Sequence, residues 1–592
     1  MRLTGAQALV RCLLVERVGL VFGIASGKLT PLMHVLSQTA SMRFVGLRHE
    51  ASGAMMAAAV FAGTGRKAVA LGEMAPGGVN LAAGAGVAFN NNIPALLITT
   101  NQHRAAAYPH RGMFMDLDAR ALFTPLTKWN AVVGDVQRLP ELVRTAFREA
   151  LGGRPGPVHL DIPQDVLAGS AEFSDDEFDL APARYRAVVG PRPNAVALAD
   201  AAALLRGAER PLIVAGGGVV MAGAEQRVRE LAERLQAPVV PTQMGLGVVT
   251  SDSPFFIGQG GLIAGDAVRL AFERADGVLS LGCRHSSWLW DEQGPFVRRS
   301  HRHVQINIDP SALGEPAVHS VAVLADAGEA ATDLLGALQD HDAAPDWLAS
   351  MRHARGADEA RLAELAAEAS PVMHPAALAH AIGRALPRDA LAVYDGGHTS
   401  FWSNDLTPVH RVRSRFHDPG MCQLGFGLPY ALALQLAHPG RPVFNLTGDG
   451  SFGFTLQELD TARRHHLPVV TLIHNNAAWG IIRAGQRRQF DFELATGLEG
   501  CDHAAIARGF GCHGETVERL ADVAPRTRAG VRAAGGHRLS DAFRRPSLLG
   551  GVRQHESIRL RHCLINSPSG AATTARSAET PSSPAAARAA SR

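Results

Sequence analysis

Residues 441–476 read RPVFNLTGDGSFGFTLQELDTARRHHLPVVTLIHNN, and this stretch decides how the chain is expected to fold. Its apolar runs at 441–447 and 467–474 each have the length and the boundaries of a buried strand. Between the runs, leucines and alanines fall at helical spacing behind Thr455, a candidate N-cap. Strand, turn, helix and strand in this order predict parallel pairing, in which ligand sites lie at the carboxyl ends of the strands.

Oxygen-bearing side chains stand at both of those strand ends. Gly448-Asp449-Gly450 follows the first run, and Asn475-Asn476 follows the second after a gap of 24 residues. A carboxylate, an amide oxygen and a backbone carbonyl suit Mg²⁺, and glycines let the backbone approach a phosphate. Each string alone is typical of a turn. The two together, between apolar strands, predict a site for a metal and a diphosphate.

The sequence around these strings resembles a known cofactor motif. Gly448 to Phe452, then Gln-Glu-Leu at 457–459, Leu-Pro-Val at 467–469 and Asn475-Asn476 are similar to the motif of thiamine-diphosphate enzymes of the acetolactate synthase and benzoylformate decarboxylase superfamily. The likeness extends from about residue 3 to about residue 525. It implies thiamine diphosphate and Mg²⁺ as cofactors. It also implies an α/β fold of three doubly wound parallel-sheet domains.

Alternating strand and helix patterns agree with three domains. We expect a pyrimidine-binding domain at 1–170, a central domain at 190–340 and a diphosphate-binding domain at 370–525. The glycines Gly216-Gly217-Gly218 follow a strand of the central domain and could cradle a dinucleotide. Their spacing is loose, however, and tight packing is favoured. Some members of the superfamily hold FAD in this domain, but the sequence gives no support for FAD here.

Glu50 is the candidate catalytic acid. It follows a strand at 43–47 and opens a helix of small apolar residues, and the resemblance implies that it lies beside the aminopyrimidine ring and controls its proton. The alternative from the residues alone is a first-turn acid that stabilises the helix dipole. Asn80 matches a further cofactor contact of the superfamily.

The resemblance also assigns roles near the opening motif. Leu424 would be the apolar wedge between the two rings of the cofactor, and the carbonyl of Cys422 would accept from the pyrimidine amine. His398 is either a phosphate contact or a structural histidine. The implied metal ligands are Asp449, Asn476 and the carbonyl of Ala478. The implied cofactor-binding residues are Glu50, Asn80, Gly397, His398, Cys422, Leu424, Gly448, Asp449, Gly450, Ser451 and Asn476.

Three departures from the superfamily concern the reaction. Acetolactate synthases show Phe-Gln-Glu where this chain has Phe114 to Asp118, and benzoylformate decarboxylases place a histidine where it has Glu73. Glu73 could donate a proton after decarboxylation, contact a cationic substrate tail, or be a solvated loop acid. At Ala25 and Ser26 the superfamily prefers Pro and Gly, which predicts a looser loop on the pyrimidine side.

We therefore expect non-oxidative decarboxylation of a small 2-oxo acid, with or without carboligation. An acetolactate synthase-like carboligase is the alternative, and a catalytically silent cofactor-binding paralogue is an alternative of another class. Glu50 and Glu73 are the catalytic candidates. The superfamily builds each active site from two subunits, so a homodimer or homotetramer is expected.

The charge and composition of the chain argue against some classes of protein. The net charge of +3 offers no nucleic-acid signal, and the sequence has no apolar stretch of membrane-spanning length. The six cysteines form no close-spaced metal or redox pair, which favours a reduced, cytoplasmic enzyme.

The tail at 526–592 differs in character from the rest. It contains twelve arginines against three acids and is rich in Ser, Ala and Pro. We expect no closing strand after Pro525 and a disordered basic tail. A reading-frame shift in a GC-rich gene would explain this composition. Such a shift would leave the third domain without its last elements and the activity in doubt.

Overall fold

The computed structural model describes residues 1–107, 109–261, 264–291, 294–314, 318–367, 373–535 and 547–553, and Met1–Gln554 form one compact unit. Three separate parallel sheets, each with helices between its strands, give the three doubly wound α/β domains that the sequence predicts. Among the described residues, no helix combines the length and the apolarity that a membrane span requires.

The first domain is built on a six-stranded sheet. Its strands are β1 (Arg2–Thr4), β2 (Leu20–Gly23), β3 (Arg43–Gly46), β4 (Val69–Glu73), β5 (Leu96–Asn101), β6 (Trp129–Val132), β7 (Val158–Pro163) and β8 (Ser170–Glu172). Its helices are α1 (Gly5–Val15), α2 (Thr30–Ser37), α3 (Glu50–Thr64), α4 (Met74–Asn90), α5 (Arg104–Ala107), α6 (Ala119–Phe123), α7 (Leu139–Leu151), α8 (Gln164–Ala168) and α9 (Asp176–Asp179). The sheet order is β3-β2-β4-β5-β7-β6, while β1 and β8 pair with each other.

The central domain has a five-stranded sheet of order β10-β9-β11-β14-β15. Its strands are β9 (Pro211–Ala215), β10 (Val239–Pro241), β11 (Gly277–Leu281), β12 (Trp290–Asp291), β13 (Gly294–Pro295), β14 (Arg302–Asn307) and β15 (Val321–Leu324). Its helices are α10 (Ala195–Arg206), α11 (Gly217–Ala222), α12 (Glu225–Leu235), α13 (Asp266–Arg274) and α14 (Ala327–Ala337), and α15 (Asp346–Ala367) follows as the helical link.

The glycines of the central domain serve packing. A β-carbon at Gly216 would lie 2.2 Å from the carbonyl oxygen of Gly282, and one at Gly218 would lie 2.6 Å from the Gly282 Cα. A β-carbon at Gly217 would lie 2.9 Å from Met244 Cβ. Glycine suits these positions because backbone at Gly216 and Gly218, and the Met244 side chain at Gly217, already fill the space that a side chain would need.

The third domain carries the opening motif. Its strands are β16 (Leu391–Tyr394), β17 (Arg415–His417), β18 (Val443–Gly448), β19 (Val470–Asn475), β20 (His513–Thr516) and β21 (Ser547–Arg553). Its helices are α16 (Pro375–Ala385), α17 (His398–Leu406), α18 (Gly427–Ala437), α19 (Asp449–Phe452), α20 (Glu458–Arg464), α21 (Gly480–Phe490), α22 (His503–Gly509) and α23 (Leu520–Gly535). The six-stranded sheet has the order β17-β16-β18-β19-β21-β20.

The prediction that no closing strand follows Pro525 is wrong. Helix α23 continues through Pro525 to Gly535, and β21 lies between β19 and β20 with parallel pairing on both sides. The short apolar run Leu548-Leu549 was hidden by its arginine-rich surroundings, and two neighbouring strands hold it in the sheet. The rest of the predicted tail, residues 536–546 and 554–592, lies outside the described residues.

Thr455 is not an N-cap. Helix α20 begins at Glu458 after Gln457, and the Thr455 hydroxyl instead donates to the carbonyl of Gly425 at 2.7 Å. The hydroxyl is therefore used to fix the segment before α18.

The first and third domains share one hydrophobic core. Helix α3 consists of small apolar residues that are buried on almost every side, and it packs against α4 and α18. The largest apolar cluster accordingly combines residues of α3 and α4 with residues of α18 and β18. This shared core fixes the N-terminus of α3, where Glu50 lies.

Candidate active site

Glu50 and Asn80 are brought together by the packing of α3 on α4. Glu50 is the first residue of α3 and only 8% exposed, and its Oε2 accepts from Nδ2 of Asn80 at 2.9 Å. The preceding His49 is extended, and its Nδ1 caps the helix by accepting from the amide of Ala51. Glu50 Oε1 faces Gly77, where a β-carbon would lie 3.3 Å away. The carboxylate is thus held at one end of a buried helix.

The turn between β4 and α4 brings Glu73 to the same edge of the sheet. A β-carbon at Gly72 would lie 2.6 Å from the carbonyl oxygen of Gly77, so this turn closes tightly. Met74, with φ of 50°, holds a left-handed conformation that is rare for a non-glycine residue and is found often at functional sites. Glu73 is half-buried, and its Oε1 accepts from the amide of Lys28 at 2.7 Å. Glu73 therefore binds the backbone of the pyrimidine-side loop and is not a freely solvated acid.

The loop at 109–118 covers the ends of β4 and β5. The carboxylate of Asp116 accepts from His110 Nδ1 at 2.6 Å and from the two backbone amides that follow His110, each at 3.1 Å. The hydrogen bond from His110 lowers the pKa of Asp116. Asn101 donates to the carbonyl of Leu117 at 3.2 Å. Asp116 is therefore occupied in holding the loop, while Phe114 is 77% exposed.

In the diphosphate-binding domain, Asp449 begins the short helix α19 directly after β18. Its carboxylate is 9% exposed, and burial raises its pKa, although the amides of Gly450 and Ala478 face it and act in the opposite direction. Among the described residues, no group of three or more His, Cys, Asp or Glu side chains could hold a metal. A metal at Asp449 would therefore need amide and carbonyl oxygens as further ligands.

The backbone carbonyl of Ala478 is oriented toward the Asp449 side. Ala478 pairs with Gly497 in an antiparallel bridge that is closed by the bonds from Trp479 N to Thr496 O and from Leu498 N to Ala477 O. In such a pair, the N–H and the carbonyl of Ala478 both point away from the partner segment. The Ala478 amide faces the Asp449 carboxylate, so its carbonyl lies on the same side. The oxygen that the sequence reasoning assigned to a metal is available.

Asn476 and His398 flank Gly480. A β-carbon at Gly480 would lie 2.5 Å from Asn476 Nδ2 and 3.6 Å from His398 Nδ1. The side chain of Asn476 makes no hydrogen bond within the described parts of the chain, and burial lowers the pKa of His398. A β-carbon at Gly397 would meet Ile481 at 2.7 Å. The ends of β16 and β19 thus converge, as the sequence predicts.

Glycines also form a cradle around the N-terminus of α19. Gly396, with φ of 93°, lies against Ser451, whose Oγ would be 2.9 Å from a β-carbon there. A β-carbon at Gly450 would lie 2.5 Å from the ring of Trp479. Backbone amides with such close access are typical of phosphate-binding turns. The donor set and the cradle therefore fit a diphosphate with a hard cation.

Two buried carboxylates fix the segment that contains Cys422 and Leu424. Asp418 accepts from the amide of Gln423 at 2.8 Å, and Asp395 accepts from the amides of Gly425 and Gly427 at 3.2 and 3.1 Å. Cys422 is exposed and has a φ of 53°. The sequence reasoning missed these anchors, although an acid directly after each of β16 and β17 was a signal for them.

A second missed feature is the strap, residues 491–498, which folds back along α21. Leu494 and Gln486 exchange two hydrogen bonds, at 2.8 and 3.3 Å. Glu493 forms ion pairs with Arg483, at 3.5 Å, and with Arg487. The strap is the segment that pairs with residues 477–479. It therefore holds the turn that presents the Ala478 carbonyl.

Known protein families match all three domains. Three family models match: the N-terminal TPP-binding domain of thiamine pyrophosphate enzymes at 3–122, their central domain at 198–334 and their C-terminal TPP-binding domain at 395–539. The last match continues past the predicted start of the tail.

Similar proteins extend over most of the chain. The large subunit of acetolactate synthase isozyme 1 from Escherichia coli is 30% identical over 514 residues, which cover 86% of this chain and 88% of that protein. A probable 2-ketoarginine decarboxylase from Pseudomonas aeruginosa is 33% identical over 544 residues, which cover 90% of this chain and 93% of that protein. A probable acetolactate synthase large subunit from Methanocaldococcus jannaschii is 28% identical over 540 residues, with 87% of both proteins covered. The chain therefore belongs to the superfamily of thiamine-pyrophosphate-dependent enzymes.

Proposed function

We propose that this enzyme catalyses the non-oxidative decarboxylation of a 2-oxo acid with thiamine diphosphate and Mg²⁺. The observation that carries the proposal is the pair of half-sites, with Glu50 and Asn80 at one sheet edge and Asp449, Ala478 and Asn476 at another. Thiamine diphosphate supplies the carbon nucleophile that attacks the 2-oxo group. The protein positions the cofactor and controls protons.

In this proposal, the diphosphate-binding domain holds the charged end of the cofactor. Asp449, Asn476 and the Ala478 carbonyl bind Mg²⁺, and Ser451, the amide of Gly450 and the region of Gly397 and His398 bind phosphate oxygens. The Ser451 hydroxyl supports this role because it makes no hydrogen bond within the described residues.

The pyrimidine-binding domain controls the proton. Glu50 exchanges a proton with the pyrimidine ring, and Asn80 holds the Glu50 carboxylate in position. Leu424 separates the two rings of the cofactor, and the Cys422 carbonyl accepts from the pyrimidine amine. The anchoring of their segment by Asp418 and Asp395 supports a fixed position for both.

Decarboxylation is favoured over carboligation. An acetolactate synthase must bind a second 2-oxo acid, and Asp116, which lies in the run that replaces Phe-Gln-Glu, is not free to contact it because its carboxylate is bonded to its own loop. Acetolactate synthase-like carboligation remains the alternative because two of the similar proteins bear that name. A catalytically silent paralogue would bind the cofactor and release no carbon dioxide.

We propose further that Glu73 binds the cationic end of the substrate. One of its oxygens accepts from the backbone amide of Lys28, and within the described residues Glu73 forms no ion pair, so a negative charge is available beside the Glu50 turn. The relative from Pseudomonas aeruginosa is named for 2-ketoarginine, whose side chain ends in a guanidinium. A half-buried carboxylate can bind such a group by a charge-assisted hydrogen bond.

The functional unit in this proposal is a homodimer or a dimer of dimers. Exposed apolar side chains surround both half-sites, with Val79, Met113 and Phe114 on one and Phe454 and Ile482 on the other. Exposed apolar patches mark interaction surfaces. Contact with a second copy of the chain would cover both patches and complete each site.

The test is a panel of 2-oxo acids assayed for carbon dioxide release with thiamine diphosphate and Mg²⁺. The panel contains pyruvate, benzoylformate, 5-guanidino-2-oxopentanoate and its neutral isostere 5-ureido-2-oxopentanoate. We expect the guanidino acid to be decarboxylated best, Glu50→Gln to abolish release, and Glu73→Gln to remove the preference over the ureido acid. No release from any member contradicts decarboxylation. Equal rates for the guanidino and ureido acids contradict only the role of Glu73.

A further inference from the structure

Glu458 is a buried acid whose function the reaction proposed above leaves open. It is the first residue of α20 and is 0% exposed, and within the described residues it forms no ion pair. Burial raises its pKa, while the hydroxyl of Thr461 acts in the opposite direction. A buried carboxylate without a counter-ion is costly, so its hydrogen-bond partners indicate what it does.

Those partners lie next to Glu50. Both oxygens of Glu458 accept from the backbone amide of Arg48, at 3.3 and 3.4 Å, and Oε2 also accepts from Thr461 Oγ1 at 2.5 Å. The amide of His49 faces the same carboxylate. Glu458 therefore binds the backbone amide of Arg48 and lies against the segment that immediately precedes Glu50.

Other side chains around α20 reach the same segment. Asp460 forms an ion pair with Arg48 at 3.7 Å, and His465 Nε2 lies 3.3 Å from the carbonyl oxygen of Gly46. Helix α20 and its C-cap thus hold residues 46–49 at several points. Helix α20 lies between β18 and β19, the strands that Asp449 and Asn476 follow. The diphosphate-binding domain therefore contacts the segment before Glu50 within one chain.

We propose that Glu458 is a positioning residue, which holds the backbone of Arg48 and His49 and thereby fixes the carboxylate of Glu50 against the pyrimidine ring. The inference rests on the proposed role of Glu50. The Arg48 amide bonded to this carboxylate, together with the His49 cap on Ala51, fixes the start of α3 more rigidly than the cap alone does. A small displacement of a catalytic group lowers the rate strongly because the reacting atoms lose their alignment.

The first test is amide hydrogen exchange of the cofactor-free protein. Glu458→Gln keeps the size of the side chain but replaces one acceptor oxygen with a donor. We expect peptides with residues 46–52 to exchange about tenfold faster in this variant, with β18 and β19 unchanged. The matched control is Asp460→Asn on the same helix, which weakens two partly exposed ion pairs, with Arg48 and Arg464, and leaves the backbone contact of Glu458 intact, so exchange at residues 46–52 should stay close to that of the wild type. Unchanged exchange at 46–52, or equal loss of protection in β18 and β19, would overturn the proposal.

The second test measures deuterium exchange at the reactive carbon of the bound cofactor by NMR. Glu458→Gln should slow this exchange about tenfold to a hundredfold, while the affinity for thiamine diphosphate stays within about twofold. An unchanged exchange rate would refute the positioning role. Glu50→Gln distinguishes the proposed role of Glu50 from that of Glu458. A normal rate of deuterium exchange at the cofactor carbon in Glu50→Gln would refute the role of Glu50 itself. If Glu458→Gln does not fold, Thr461→Val removes one bond to the same carboxylate and must give the same changes to a smaller extent, or the proposal fails.

Discussion

At the scale of the single residue, Asp449 is a buried acid without a cationic partner among the described residues. Its carboxylate is buried, backbone amides face it, and no cationic side chain in the described chain forms an ion pair with it. An uncompensated buried charge is unfavourable in the free protein and becomes favourable when a cation binds. In the proposed site, Asp449 would therefore favour binding of Mg²⁺ at a cost in the stability of the free protein.

Asp449→Asn should weaken Mg²⁺ binding by at least about tenfold, because the amide lacks the negative charge that a hard cation prefers. Calorimetric titration with Mg²⁺ in the presence of thiamine diphosphate measures the effect. Glu499→Gln, which changes an exposed acid of the same domain, should bind Mg²⁺ as the wild type does. Equal affinities of the wild type and Asp449→Asn would exclude Asp449 as a ligand.

The raised pKa of Asp395 predicts how the stability of the folded protein depends on pH. Burial raises its pKa from 3.8 to about 7, against the effect of the amides of Gly427 and Gly425. Between these values the folded protein keeps a proton that the unfolded chain has released, so stability falls as the pH rises. Between pH 5 and 6, the free energy of unfolding should fall less steeply with pH in Asp395→Asn than in the wild type, by about 1.4 kcal/mol per pH unit, as measured by urea unfolding. The same slope in both proteins would contradict the assignment, and Asp460→Asn serves as the control.

The candidate metal ligands could be named from the sequence, but the contacts that hold the Glu50 segment could not. Asp449 and Asn476 stand at the ends of apolar runs, and the position of a strand end follows from local pattern alone. The bonds from Glu458 to Arg48 connect residues 410 positions apart. Such contacts depend on how whole domains pack, about which a local pattern contains no information.

At the scale of the element, the strap is the feature that supports the proposed metal site. It consists of no helix or strand, yet its backbone pairs with both neighbours of Ala478 and its Glu493 binds two arginines of α21. The strap thus joins α21 to the turn that contains Ala478, the proposed metal ligand. Sequence reasoning missed it because irregular segments have no periodicity.

Glu493→Gln should weaken Mg²⁺ binding roughly tenfold without removing any ligand, because the loosened strap no longer holds the Ala478 carbonyl in place. Titration with Mg²⁺ detects the change, and the strap's loss of order should appear as faster amide exchange at residues 496–498. Glu499→Gln, one residue beyond the strap, provides the comparison. An unaltered affinity together with faster exchange would mean that the strap has no influence on the metal.

At the scale of the whole molecule, Arg413 joins all three domains. From the third domain, its guanidinium donates to the carbonyls of Phe61 and Ala62 in the first domain, at 3.1 and 2.7 Å, and to that of Val220 in the central domain, at 2.9 Å. Burial lowers its pKa. The sequence predicts three domains from their repeated patterns but gives no sign of this connection, which depends on one side chain in a loop.

Arg413→Met should lower the thermal unfolding midpoint by roughly 2–5 °C, because three partly buried carbonyls lose a charged donor while most of the apolar contact is kept. Scanning calorimetry should also separate the transitions of the domains. Arg411→Met, at an exposed arginine in the same loop, should change neither. A single transition at the wild-type temperature would show that Arg413 does not couple the domains.

The place of β21 in its sheet has a consequence for synthesis. This strand lies between β19 and β20, which are both translated earlier. Until residue 553 has left the ribosome, the nascent chain presents two unpaired strand edges, and such edges pair readily with other chains. A premature stop only a few codons before β21 would therefore produce an aggregating polypeptide with every proposed metal ligand in place.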